Sequence, residues 1–160
     1  ELDVAEAIER VRVLMAGVLN RSLALIVVEN PSGVERVLFD PLRFSHLVRN
    51  LLSNALKFSP SDSVVELRLS RLLDGDALLS VSDRGPGMDL GAIARLGRPA
   101  DAEDPAWADG MGFAVIRSIC AMHDCGFTVE NRAGGGLTAA VRIPGARLIE
   151  DAEGERRIAT

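Results

Sequence analysis

The chain has 160 residues, 48% of them hydrophobic, which suits one domain with a sizeable core. A net charge of −5, 4% aromatic residues and no tyrosine argue against a nucleic-acid binder and against base-stacking platforms. No run of about 18 apolar residues is present, so no membrane-spanning helix is expected, and no secretory leader is visible.

Because the chain begins at Glu1 and not at Met, a piece of a longer protein is expected. Val4, Ile8, Val11, Leu14 or Met15, and Val18 recur near helical spacing and predict a helix over about residues 3–20. The apolar run Leu23 to Val28 predicts a strand ending at the Asn30-Pro31 turn, and Arg36 to Phe39 a second short strand. Asp40-Pro41 reads as a cap and first turn, opening a helix that runs to about Phe58 and stops before Ser59-Pro60. Val64 to Leu72 and Ala77 to Ser82 read as a hairpin turning at Asp74-Gly75-Asp76.

Asp83-Arg84-Gly85-Pro86-Gly87 breaks the second of those strands, and Asp89 to Leu96 suits a short helix. Residues 97–109 show no period and read as a mobile loop, with helix again from Gly110 to Met122. Phe127 to Asn131 and Leu137 to Ile143 form a hairpin around Gly134-Gly135-Gly136, and residues 145–160 read as a polar tail or linker. This order predicts an α+β two-layer sandwich, a mixed sheet covered on one face by about three helices. Regular strand–helix alternation, which a doubly wound parallel fold needs, is missing.

Three patterns carry possible chemistry. Asn50, Asn54 and Lys57 stand at i, i+4 and i+7, within an arc of roughly 60° on the helix surface. Leu47, Leu51, Ala55 and Phe58 form the apolar stripe beside them. An amide oxygen can hold Mg²⁺ and a lysine can hold phosphate, although such a row is also what a solvated helix face carries. Asp83-x-Gly85-x-Gly87 places an acceptor for an exocyclic amine at a strand end, with glycines that allow close approach to the backbone; an ordinary Asp-Gly turn has the same look. Gly110-Met111-Gly112 opens a helix, where free N–H groups bind anions, and it also suits a plain loop-to-helix junction. Lys57 is the single lysine beside seventeen arginines.

Taken in order and spacing, these patterns resemble the ATP-binding catalytic domain of bacterial sensor histidine kinases. That superfamily also holds gyrase, a heat-shock chaperone family and a mismatch-repair ATPase. Asn50 to Lys57 is similar to its asparagine box, Asp83 to Gly87 to its first glycine box, and Gly110 to Gly112 to its second. Asp40 resembles the acidic residue before the asparagine-box helix, and Val141-Arg142-Ile143-Pro144 the last strand.

The resemblance covers roughly residues 3–145 and implies a Bergerat-type fold with a mainly antiparallel sheet. It implies a catalytic domain over residues 1–145, a lid at about 89–109 and a tail from 146. It also implies Mg²⁺ at Asn54 assisted by Asn50, phosphate at Lys57, and the adenine amine at Asp83 in a pocket shaped by Gly85 and Gly87. Gly110, Met111 and Gly112 would let the lid close over the triphosphate.

The implied activity is transfer of the γ-phosphoryl group of ATP to a histidine on a separate dimerisation domain, expected before Glu1, for relay to a response regulator. The implied setting is cytoplasmic, within a parent protein that membrane anchoring would suit, with no nucleic acid and no direct membrane contact by this domain. Asn50 stands where hydrolysing members and anti-sigma serine kinases usually carry Glu. An amide is no general base, and neutral imidazole is already nucleophilic, so Asn50 fits a histidine acceptor.

The chain departs from the family at Ala108, where a further glycine is usual, and at Met111 and Phe113, where leucines are. The lid has Trp107 and no Phe, and it carries Asp101, Glu103, Asp104 and Asp109. These departures motivate an alternative, a degenerate pseudokinase used as a regulatory protein-binding module. His46 faintly resembles a phospho-acceptor site but lacks the acid and proline that follow one, so a helix-face role is expected. A structural role is expected for His123 near a helix end. Cys120 and Cys125 are too few for a disulfide framework and, with His123, lack a fourth zinc ligand, so reduced thiols are expected.

Overall fold

A computed structural model describes residues 1–96 and 113–149. The elements run β1 (Leu2–Asp3), α1 (Val4–Val18), β2 (Ile26–Glu29), β3 (Arg36–Val37), α2 (Pro41–Phe58), β4 (Val65–Arg71), β5 (Ala77–Ser82), α3 (Leu90–Leu96), α4 (Phe113–Met122), β6 (Gly126–Asn131), β7 (Leu137–Ile143) and β8 (Leu148–Ile149). The main sheet has five strands in the order β2-β4-β5-β7-β6. Its β2–β4 pair is parallel and the other pairs antiparallel, so the expected mixed, mainly antiparallel sheet is present.

The sheet has one buried face because its strands alternate. Leu67, Val81, Ala139 and Val129 lie opposite one another across four strands, and so do Leu69, Leu79, Val141 and Phe127. The adjoining register, Glu66, Ser82, Thr138 and Glu130, is polar and faces away from the core. The second helix is the keystone of the helical layer. It packs between α1 and α4 and over β4 and β5. Phe44, Leu47, Val48, Leu51, Leu52, Ala55 and Leu56 bury one side of it, each large side chain contributing about 1.5–3 kcal/mol.

Local chemistry sets the limits of α2. The Asp40 carboxylate accepts from the Arg43 N–H at 2.9 Å, and Pro41 occupies the first turn. At the other end Arg21, in the loop after α1, donates to the carbonyls of Leu56, Ser59 and Pro60. Those of Leu56 and Ser59 lie at the helix end, where carbonyls lack helical partners, while that of Pro60 also accepts from Ser63. Arg21→Ala is expected to destabilise the domain by about 1–2 kcal/mol, a fall of roughly 5 °C in Tm. Arg21→Lys should restore only part of it, because an ammonium carries its donors on one nitrogen and lacks the planar fork whose two nitrogens reach these carbonyls. Thermal melts of the two variants check this; an unchanged Tm for Arg21→Ala would remove the clamp from the account.

Two sequence expectations change. The strand expected from Leu23 begins as a 3-10 turn, Leu23–Leu25, and extends only from Ile26. Arg12 holds that turn by donating to the carbonyls of Leu23 and Ile26. Residues 145–149, expected in a tail, make a turn and then β8, which pairs with β3. With β1 this forms a second sheet of three short antiparallel strands, in which Val37 faces both Leu2 and Leu148. Asp76 in the β4–β5 turn ties the chain end down. It accepts from Arg142 and from the Gly145 N–H at 2.9 Å, and the Arg142 hydrogen bond, followed by that of Gly145, lowers its carboxyl below the ordinary value.

His123 is buried after α4. Its ring lies flat on Phe39 at 3.8 Å between centroids, with Nδ1 2.9 Å from the Ile119 carbonyl, so its role is packing. Burial pushes the Cys120 thiol up to about 12 and Cys125 up to about 11, leaving little reactive thiolate at neutral pH. Among the described residues no helix is long and apolar enough to cross a membrane.

Candidate functional site

The site forms where the end of β5, the end of α2 and the start of β7 meet. A cavity of about 270 Å³ opens there between Asn54 and Phe58 of α2, Asp83 beyond β5, and Leu137 of β7. Pro86, Gly87 and Met88 of the following loop form another wall, with Asp89 and Ala92 at the start of α3. Most of this lining is apolar, with two acids and one amide, which suits a flat heteroaromatic ring held by a few polar contacts.

Asp83 is only 6% exposed, and its two oxygens are used unequally. Oδ1 accepts from the Gly85 N–H at 2.8 Å and from the Leu137 N–H at 3.1 Å. The Asp83 N–H donates to the Leu137 carbonyl at 3.0 Å, and Arg132 Nη1 donates to the Asp83 carbonyl at 2.9 Å. The carboxylate is therefore fixed through Oδ1, which leaves the lone pairs of Oδ2 for a donor in the cavity.

Asn54 carries the complementary signal. Its Nδ2 is buried with no protein partner, and a buried unpaired amide donor costs about 1–3 kcal/mol unless a ligand or water satisfies it. One turn earlier, Asn50 Nδ2 donates to the His46 carbonyl at 2.7 Å, which frees Oδ1 as an acceptor or metal ligand. Two neutral amide oxygens suit a small hard cation that keeps waters and phosphate oxygens as its other ligands, so this donor set fits Mg²⁺. Lys57 lies exposed in the last turn of α2 and is not part of the cavity wall.

The glycines beyond Asp83 have a reason that local spacing does not reveal. A Cβ on Gly85 would stand 2.7 Å from the Phe58 carbonyl oxygen, so the loop can lie against the end of α2 only without one. Gly87 has φ +75, and a Cβ there would stand 2.5 Å from Asn131 Oδ1. Both glycines shape the pocket by letting the loop pack on its own chain. Asp89 caps α3 through the N–H groups of Gly91 and Ala92.

The structure thus brings Asn54, Asp83 and Gly87 to one cavity, with Asn50 and Gly85 beside it and Lys57 on the surface. Gly110, Met111 and Gly112, with Trp107, Ala108 and most of the expected lid, lie outside the described residues. Sequence reasoning missed Phe58, Met88, Leu137, Asn131 and Arg132 as parts of the site. The Gly134-Gly135-Gly136 turn, which aims β7 at the first glycine loop, was the available signal for the last three.

The family model described as histidine kinase-, DNA gyrase B- and HSP90-like ATPase matches residues 39–147. Histidine protein kinase DivJ of Caulobacter vibrioides is 35% identical over 118 residues, covering 71% of this chain and 20% of that protein. Sensor protein QseC of Escherichia coli O157:H7 is 36% identical over 116 residues, covering 70% of this chain and 24% of that protein. The chain therefore spans a quarter or less of the length of these relatives. The structure of full-length ShkA in complex with AMPPNP superposes with a TM-score of 0.75 at 25% identity, covering 94% of this chain and 31% of that one. A cavity between the asparagine-bearing helix and an aspartate-glycine loop, on this sheet and with these relatives, makes the chain a member of the histidine kinase, gyrase B and HSP90-like ATPase family and a catalytic ATP-binding domain of the sensor histidine kinase type.

Proposed function

We propose that this domain binds Mg²⁺-ATP and transfers the γ-phosphoryl group to a histidine on a separate dimerisation domain of the same protein, for relay to a response regulator. The observation that carries the reading is the pairing of Asp83 Oδ2 and the unpartnered Asn54 amide across one cavity. The first suits the exocyclic amine of adenine and the second suits the phosphate end. Bound AMPPNP in ShkA supports the ligand, and the histidine kinase relatives support the reaction.

The residues present divide the work. The apolar walls at Met88 and Leu137 hold the base and exclude water from it. Asp83 selects an amine donor at the base edge. Asn54 and Asn50 would hold Mg²⁺, which when bound neutralises charge on the phosphates. Lys57 stands at the solvent side for phosphate. No carboxylate occupies the row Asn50, Asn54, Lys57, so no protein base there activates water, and positioning of the acceptor histidine dominates catalysis. The catalytic unit, expected from the sequence over residues 1–145 and extended by β8 to Ile149, carries a lid at about 89–109 in a cytoplasmic setting.

Calorimetric titration with ATP and AMPPNP, with and without Mg²⁺, tests this. Binding that needs Mg²⁺ for full affinity is expected, and Asn54→Ala should weaken it by about tenfold while removing the Mg²⁺ dependence. A folded domain that binds neither nucleotide would instead support the regulatory pseudokinase module.

A further inference from the structure

We propose that Asn131 is a positioning residue for the adenine end of the nucleotide; the proposal rests on the nucleotide-site reading above. The wall formed by residues 83–88 has no regular secondary structure, so something outside it must set its shape. Its near end is tied to Leu137, through the paired backbone and the Asp83 carboxylate. Its far end is tied to Asn131. Asn131 Oδ1 accepts from the Met88 N–H at 2.8 Å, and Asn131 Nδ2 donates to the Met88 carbonyl at 2.8 Å. The primary amide thus grips both polar groups of one residue, as a neighbouring strand would.

Asn131 and Leu137 lie directly opposite each other in the β6–β7 ladder. One rung of the sheet therefore holds both ends of the loop, and the separation of Asp83 from Met88 is set by that rung. Gly87 completes the fit, since its positive φ and absent Cβ let the loop come against the Asn131 amide. Arg132, the next residue, donates to the Asp83 carbonyl and keeps the near end from rotating. Aspartate at position 131 would lose the donor to Met88, and glutamine would carry the amide one methylene too far. The loop is consequently preformed, which lowers the ordering cost of binding a base.

The test combines amide hydrogen exchange at Met88 without ligand and calorimetric titration with ADP and ATP. Asn131→Ala is expected to speed exchange at Met88 by about tenfold and to weaken ADP and ATP by the same factor, about fivefold to tenfold, with the Mg²⁺ dependence unchanged. Asn131→Asp, which still accepts from the Met88 N–H, should fall between wild type and Asn131→Ala in both readouts. A merely structural residue would change stability without this matched pattern. Unchanged exchange at Met88, unchanged affinity in a wild type that binds, or a loss confined to ATP would each overturn the positioning role. A wild type that binds neither nucleotide would overturn the nucleotide-site reading itself, and the positioning role with it.

Discussion

Alanine at Gly136 is expected to cost the domain about 3 kcal/mol or more and to abolish nucleotide binding. Gly136 is buried just before β7 with φ +106, where an L side chain is strained. A Cβ there would stand 2.1 Å from the Asp83 carbonyl oxygen and 2.9 Å from its carbon. Both are backbone atoms, so no rotamer change relieves the clash, and the residue displaced is Asp83, the one proposed to meet the base. Gly134→Ala is the control. Gly134 has φ +85, but a Cβ there would meet nothing within 4 Å, so this variant carries backbone strain alone, about 1–2 kcal/mol. Urea unfolding of both variants, with an ADP titration, separates the two terms. Equal destabilisation of the two would show that the approach of Gly136 to Asp83 has no energetic weight.

The second large effect is on binding with the fold kept. In Asp83→Asn the side-chain oxygen can still accept from the Gly85 and Leu137 N–H groups, so the loop retains its anchors. What changes is the other terminus, which becomes an NH₂ donor and, in the proposed site, would face the exocyclic amine of adenine. A site built around one hydrogen bond rejects a ligand strongly when that bond is lost, so affinity for ATP and ADP should fall by about a hundredfold. Asp83→Ala would differ, because it leaves two backbone donors without a partner, at about 1–3 kcal/mol each, and should lower Tm as well. Titration and thermal melting of the pair distinguish the roles. Wild-type affinity in Asp83→Asn would mean that Asp83 braces the loop and never touches the ligand.

These expectations show how unevenly the site was legible. Asn50, Asn54 and Lys57 stand on one helix, so a 3.6-residue period displays them together. Asp83 and Gly87 lie in one short turn at a strand end and are equally plain. Their reasons were less plain. Spacing suggested that the glycines admit a ligand, whereas Gly85 faces the Phe58 carbonyl and Gly87 faces Asn131. Asn131 and Leu137 reach the loop from 43 and 54 residues away, and no local pattern marks a contact at that distance.

By itself the sequence determined the elements whose periods are long enough to read. The buried stripe of α2 with its Asp40-Pro41 start, the alternation of β4 and β5 about the Asp74-Gly75-Asp76 turn, and β7 after three glycines all follow from local geometry. So does the α+β class, because these elements have one apolar side each and must bury it against one another. The tertiary structure alone decided which short segments become strands. Two-residue stretches such as β1, β3 and β8 have no period, and their hydrogen bonds exist only once residues 2, 37 and 148 are brought together. It also decided the parallel partner of β2, and it turned a common Asp-Gly turn into a pocket. That last step depends on non-local hydrogen bonds from Leu137, Arg132 and Asn131, which form only when β6 and β7 complete the sheet.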